Sequence, residues 1–477
     1  MSVAARPSAR HDDAAWDHAH ESLVATLRDL IRIPSINPPP SDAPDGELRA
    51  AARIADELRD AGLEPEIVEP VPGRGSVAAR LRGDGTGGDP LLLLGHLDVV
   101  PAPAELWTHD PFAADVADGY VWGRGAVDMK NLVAMEVTVA RLLAEEARAA
   151  GRDPASDPVP GLTRDVLVTI TADEEAGGLH GAAWVVENRP EWIRSAGAIN
   201  ESGAVATTYG GRRFYPIGVA ERGYCVYRIT VRGTWGHGSM PRDDNAAVRA
   251  AQIVSRLAVQ GPPRPTPAMR TFLEGLANEL GGEAARVLRS LTTDDPRLAE
   301  AAVEKLCDPS SALVLRALLR TTVSPNVIHA GVKYNVIPGE AVVEVDCRQL
   351  PGTTEEDVRA TILERMGPEL GAVSTIELVL FGEPMDAPTS GELWEVLTST
   401  VRDHDPDGIP LPVMVPFATD GKHTAKIGVT PYGFSPLRLD SGEAFLSRFH
   451  GVDERVGLDA LRWGLPVLYD VVRRFCG

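Results

Sequence analysis

The sequence predicts an α/β fold interrupted by an inserted α+β unit. Up to about residue 221, short apolar runs alternate with helical segments, as in a parallel or mixed sheet with helices on both faces. Beyond Glu221 the strands change character, with apolar residues at every second position, as in half-buried antiparallel strands. From about Phe381 the first pattern returns.

Taken in order, residues 1–15 read as a frayed polar arm. Ala19–Ile33 reads as an amphipathic helix, stopped by Pro34 and the Pro38-Pro39-Pro40 run, since proline cannot continue a helix. Glu47–Ala61 reads as a second helix, ended by Gly62. Then follow a strand at 91–95, a helix at 129–147 that is apolar on most faces, a strand at 166–172, a helix at 180–188 and a strand at 197–200. In the middle segment, 224–231, 341–347 and 375–380 alternate as strands, with helices at 245–259 and 354–365. A Pro-rich start and Leu/Ala-rich helical segments mark 262–321 as an insertion within that unit. Helices near 391–403 and 457–474 close the chain. The expected division is 1–221 and 381–477 for the α/β domain and 222–380 for the inserted one.

A chain of 477 residues exceeds one ordinary core, which agrees with two domains. The net charge of −21 argues against nucleic acid or an anionic membrane surface as partner. Cys225, Cys307, Cys347 and Cys476 are widely spaced and form no C-x-x-C pair, the usage of reduced thiols rather than of a disulfide framework or zinc knuckle. Residues 1–20 lack the apolar stretch of a signal peptide, and no run approaches the ~18 apolar residues of a membrane span. A cytoplasmic location is the expectation.

The chemistry concentrates where apolar runs end. His96-Leu97-Asp98 follows Leu91–Leu94, and Glu174-Glu175 follows Val166–Ala172. The carboxyl edge of an open α/β sheet is where ligands bind. Histidine and carboxylates suit zinc-like ions, and two-metal sites share a bridging carboxylate. Asp128 and Glu201 stand at comparable positions. Each has an ordinary alternative: a structural histidine, a solvated glutamate turn, a helix N-cap at Asp128, a plain turn at Glu201. Together they point to a metal hydrolase. No serine sits in a G-x-S-x-G elbow and no cysteine has an adjacent base, which disfavours a serine or thiol nucleophile. His11, His18, His20, His109, His180, His329, His404 and His423 have no ligand pattern.

Gly95-His-Leu-Asp-Val-Val-Pro101, Trp122-Gly-Arg-Gly-Ala-Val-Asp-Met-Lys130, Thr171-Ala-Asp-Glu-Glu175 and Asn200-Glu-Ser-Gly203 resemble, in order, motifs of the aminoacylase/carboxypeptidase/desuccinylase family of dinuclear zinc exopeptidases. Gly236-His-Gly-Ser239, Asn335-Val-Ile-Pro338, Asp346-Cys-Arg348 and His450-Gly-Val-Asp-Glu454 extend the resemblance, which runs from about Leu23 to the C-terminus. The 262–321 insertion is most similar to the long N-acyl-amino-acid hydrolase and vacuolar carboxypeptidase branch.

The resemblance implies a zinc-exopeptidase-type catalytic domain and an inserted lid and dimerisation domain. It implies two divalent ions, zinc with cobalt or manganese as alternatives: His96 and Glu201 on one, Glu175 and His450 on the other, Asp128 bridging. Asp98 would fix the His96 tautomer, and Glu174 would be the general base. His237 would reach the partner's site in a homodimer and stabilise an oxyanion. Arg348 and Asn335 would hold the substrate's carboxylate and carbonyl, and Thr419 would belong to a pocket loop. That loop departs from the family pattern, because Phe417-Ala418 replaces two glycines. The implied reaction is hydrolysis of an amide or peptide bond beside a free carboxylate, in an N-acyl amino acid, a dipeptide or a peptide C-terminus. A deacylase of a biosynthetic intermediate, or a non-catalytic metal-binding relative, are the other readings.

Overall fold

The computed structural model of the chain describes residues 7–41, 43–293, 295–306, 309–439 and 445–477. Two compact units form. One comprises 1–219, 387–412 and 419–477, and the other 220–386 and 413–418. The second unit thus takes 381–386 and 413–418, which the alternation of apolar runs assigned to the first.

In the first unit the strands run in the spatial order 66–68, 76–81, 166–171, 91–96, 197–200, 431–433, 212–221. The pairings from 166–171 through 431–433 are parallel, and those flanking them are antiparallel. Leu91–Leu94 and Val166–Ile170 are wholly or almost wholly buried. That explains why they read as continuous apolar runs rather than as alternating ones. After strand 91–96 the chain places 166–171 on one side and 197–200 on the other. Their carboxyl ends therefore meet at the point where the strand order reverses, the standard ligand crevice of such sheets. Helix Lys130–Ala149 is buried along most of its length and packs on strand 91–96, as its all-round apolarity predicts.

Predicted helices form with bounds shifted by a few residues: Asp13–Ile31, Gly46–Asp60, Glu392–His404 and Leu458–Cys476. The frayed arm is corrected from Pro7 onward, residues 1–6 lying outside the described residues. Ser8 donates through its backbone N–H and its hydroxyl to the buried Asp470 carboxylate, and Asp12 caps the first helix by accepting from Ala15 N–H at 2.8 Å. His20, read as a polar-arm residue, is buried, with Nε2 3.1 Å from the Leu458 carbonyl. Buried acceptors recruited this segment, and they stand at the far end of the chain.

The second unit is a four-stranded antiparallel sheet in the order 322–330, 340–349, 223–232, 374–382. Cys225, Tyr227, Ile229 and Val231 alternate inward and meet Ile253 and Leu257 of helix Ala246–Leu257 and Ile362 and Met366 of helix Glu355–Ala372. Thr354 and Asp357 close a capping box on the latter. The 262–321 insertion supplies helices Pro267–Leu280, Gly282–Ser290, Pro296–Leu306 and Pro309–Leu318. Cys307 lies outside the described residues. Cys225, Cys347 and Cys476 are buried free thiols, and no helix among the described residues is long and apolar enough to cross a membrane.

Candidate dinuclear metal site

His96 ends its strand, and its ring is almost wholly buried. Its Nε2 lies 3.2 Å from Asp128 Oδ1 and 3.7 Å from Glu201 Oε1. The other Asp128 oxygen, Oδ2, lies 3.3 Å from His450 Nε2, and Glu175 Oε2 lies 3.1 Å from that same nitrogen. Two donor groups result, His96/Asp128/Glu201 and Asp128/Glu175/His450, each within 4.8 Å. They share Asp128, one oxygen facing each histidine.

Local backbone makes this convergence possible. Glu174 and Glu175 sit on a 3₁₀ turn after strand 166–171, entered through Asp173 at φ 68°. Glu201 follows strand 197–200, and Ser202 turns at φ 73°. Gly203 must be glycine, because a Cβ there would lie 1.9 Å from the Gly433 carbonyl oxygen. His450 itself is left-handed, at φ 56°. Such conformations cost energy in non-glycine residues and gather at functional sites. Asp128 is not the helix cap of the ordinary alternative: Met129 holds that position, with no side-chain capping bond.

Asp98 is fully buried. His96 Nδ1 is 3.0 Å from the Asp98 backbone carbonyl and 3.4 Å from its Oδ1, so the backbone oxygen is the nearer partner of the ring. The Asp98 carboxylate instead receives Asn37 Nδ2 at 2.7 Å and the N–H groups of Glu174 and Glu175.

Burial and crowding of like charges set the protonation of the cluster. Burial pushes Glu174 and Glu201 well above the ordinary carboxylate range, with neighbouring carboxylates adding to it. Burial likewise raises Glu175. Hydrogen bonds to Asp128 and Glu175 raise His450 to about 10. Burial opposes charge on His96, but Asp128, Asp98 and the glutamates outweigh it and raise that ring well above its usual value. The three glutamates and both imidazoles are shifted toward keeping protons. Asp98 and Asp128 are held below the ordinary carboxylate range, despite burial, by hydrogen bonds to imidazole, so the cluster calls for balancing positive charge. A pair of divalent cations answers that demand. Tetrahedral bonds of ~2.1 Å put donors about 3.4 Å apart, close to the 3.1–3.7 Å separations here. The donor set fits two such ions.

Residues with no role in the sequence reading support the site. Glu454 Oε1 accepts the N–H of Val127 at 2.7 Å and of Asp128 at 3.1 Å, and its Oε2 pairs with Arg124 at 2.6 Å. Arg124 also donates to the His450 carbonyl at 3.3 Å. Both belong to motifs carrying the resemblance, the one available signal. Glu47, paired with Arg74, accepts from Asp173 N–H at 2.8 Å.

Thr419 is in the first unit, fully buried, its hydroxyl accepting from Asn200 Nδ2 at 2.7 Å and from Gly421 N–H at 3.0 Å. His237, Asn335 and Arg348 are in the second unit. His237 is exposed and pairs with Val336 across a two-residue ladder, and Gly238 N–H donates to the Asn335 carbonyl at 2.8 Å. Asn335 Oδ1 is buried without a hydrogen-bond partner among the described residues. Arg348 is partly exposed and pairs with Asp346 of its own strand at 3.0 Å.

The profile of peptidase family M20/M25/M40 matches residues 92–474. The chain is 29% identical to a Dictyostelium discoideum protein named probable carboxypeptidase S-like 2, over 80% of this chain and 71% of that one. It is 28% identical to aminoacylase-1 of Mus musculus, over 87% and 86%. Its fold is similar to that of the M20 family metallo-carboxypeptidase Sso-CP2 from Sulfolobus solfataricus, with a TM-score of 0.68 and 16% identity, covering 95% of this chain and 99% of the other.

Proposed function

The chain belongs to peptidase family M20/M25/M40, a metallohydrolase family, and from that premise we propose that it hydrolyses an amide or peptide bond adjacent to a free carboxylate. The observation that carries this reading is the division of Asp128 between two donor groups, with Glu174 on the turn that supplies Glu175. His96 and Glu201 would hold one divalent ion, Glu175 and His450 the other, with Asp128 between. Zinc is the proposed ion, and cobalt and manganese accept the same N/O donors. Bound there, the two ions would make a water acidic enough to react at neutral pH and would polarise the scissile carbonyl.

Glu174 is the proposed proton carrier. Its backbone is held by Asp98, and its carboxylate is proposed to take a proton from the attacking water and give it to the departing amine. Arg348 is proposed to receive the substrate carboxylate, which matches a guanidinium fork. Asn335 supplies an amide for the carbonyl, and Thr419 braces the pocket floor through Asn200. His237 is proposed to act in a homodimer, at the partner's site, as an oxyanion donor. A cytoplasmic location fits the buried free thiols.

A panel of N-acyl amino acids and dipeptides, assayed with zinc- or cobalt-loaded protein, tests the proposal. Turnover confined to substrates with a free carboxylate supports it. Equal turnover of the carboxamide analogues contradicts it.

A further inference from the structure

The segment from Asp420 to His423 grips the glutamate turn at three points. Ahead of the turn, the Thr171 hydroxyl donates to Asp420 Oδ2 at 2.6 Å. Beyond it, His423 Nε2 lies 2.9 Å from the Gly177 carbonyl. Between these two, Lys422 Nζ lies 3.8 Å from Glu174 Oε1 and donates to the Thr419 carbonyl at 3.0 Å. Lys422 is 4% exposed. The fit is close: a Cβ on Gly178 would stand 2.6 Å from Asp420 Oδ1 and 3.0 Å from His423 Nε2.

A buried ammonium needs hydrogen-bond acceptors, and carbonyls can provide them. Lys130 is the comparison within the same unit. It is fully buried, and its Nζ donates to the carbonyls of Leu30 and Ile33 at 2.9 and 3.1 Å. Lys422 differs in reaching a carboxylate, the one to which the proton transfer has been assigned.

We propose that Lys422 is a positioning residue for Glu174: its ammonium draws Oε1 to a fixed place and leaves Oε2 for the proton. The inference rests on the reading of Glu174 as proton carrier. Lys422 itself is assigned no contact with substrate or metal. Its effect is confined to where the carboxylate stands, and a misplacement of about 1 Å in such a group costs about 100-fold in rate.

The test compares wild type, K422M and K422R, each zinc-loaded, by kcat, KM, bound metal and thermal midpoint, with a crystal structure of K422M. The expected result for K422M is a kcat lower by about 10- to 100-fold, an unchanged KM, two bound metals and a displaced Glu174 carboxylate. K422R restores most of the kcat, since it returns the cation. A K422M kcat equal to that of wild type overturns the inference, as does an equal loss in K422M and K422R accompanied by loss of metal. If K422M does not fold, K422Q carries the same comparison. Wild-type protein inert on every N-acyl amino acid and dipeptide overturns the functional reading and this inference with it. Active wild type with a K422M kcat equal to it overturns this inference alone.

Discussion

The Asp98 carboxylate accepts the backbone N–H of Glu174 at 3.0 Å through one oxygen, and its other oxygen accepts that of Glu175 at the same distance. One buried side chain thus ties the end of strand 91–96 to the turn that carries both glutamates. The pair's division of labour begins here, because the backbone is held while the two side chains point to different partners.

Asp98→Asn retains the shape but replaces one acceptor oxygen with a donor. Partners behind metal ligands typically contribute about 10- to 100-fold in affinity, so a loss of that size is expected for the metal pair. Competition titration against a chromophoric chelator measures it.

The Arg124–Glu454 pair is buried on both sides and holds the Asp128 backbone. Removing one member strands the other as an uncompensated charge, at a cost of about 3–5 kcal/mol. Arg124→Met should therefore lower the urea midpoint markedly in metal-free protein. Arg462→Met, which removes an exposed pair with Asp17, should change stability by less than about 1 kcal/mol.

Stability against pH isolates a third feature. Burial disfavours charge on Asp405, but hydrogen bonds from Tyr215, at 2.7 Å, and from Arg213 prevail and hold its pKa below the ordinary value. A carboxylate depressed in the folded state stabilises above its unfolded pKa of about 3.9 and loses that contribution as pH falls through the folded value. Asp405→Asn should be less stable than wild type at neutral pH. The gap should close below about pH 4 in thermal melts across a pH series.

Chelators should abolish hydrolysis, and zinc or cobalt should restore it. Metal affinity should also fall as pH falls, because donors must shed protons before they bind. With His450 raised to about 10 and His96 raised as well, binding near neutral pH should release protons. Calorimetry in buffers of different ionisation enthalpy counts them.

The parallel strands were legible because full burial writes them as unbroken apolar runs. His96, Glu175 and Glu201 were legible because each stands where such a run stops, whereas His450 came only from the family resemblance. Which histidine goes with which glutamate was not, since that depends on strand order and on left-handed turns at Asp173, Ser202 and His450. The family resemblance supplied an expectation for it, and the geometry groups the donors in the same way. Glu454, Arg124 and Lys422 escaped notice for a different reason. A buried charged residue looks like a surface one until its partner is known, and Glu454 stands 330 residues from Arg124. Ser8 lies 462 residues from Asp470, which is why the docked N-terminal segment read as a frayed arm.

Metal content measured alongside kcat separates the proton-carrying role proposed for Glu174 from the metal-holding role proposed for Glu175. Glu174→Gln should keep two metals per chain and lose at least about 100-fold in kcat, while Glu175→Gln should lose metal first. Full activity in metal-replete Glu174→Gln would contradict the account.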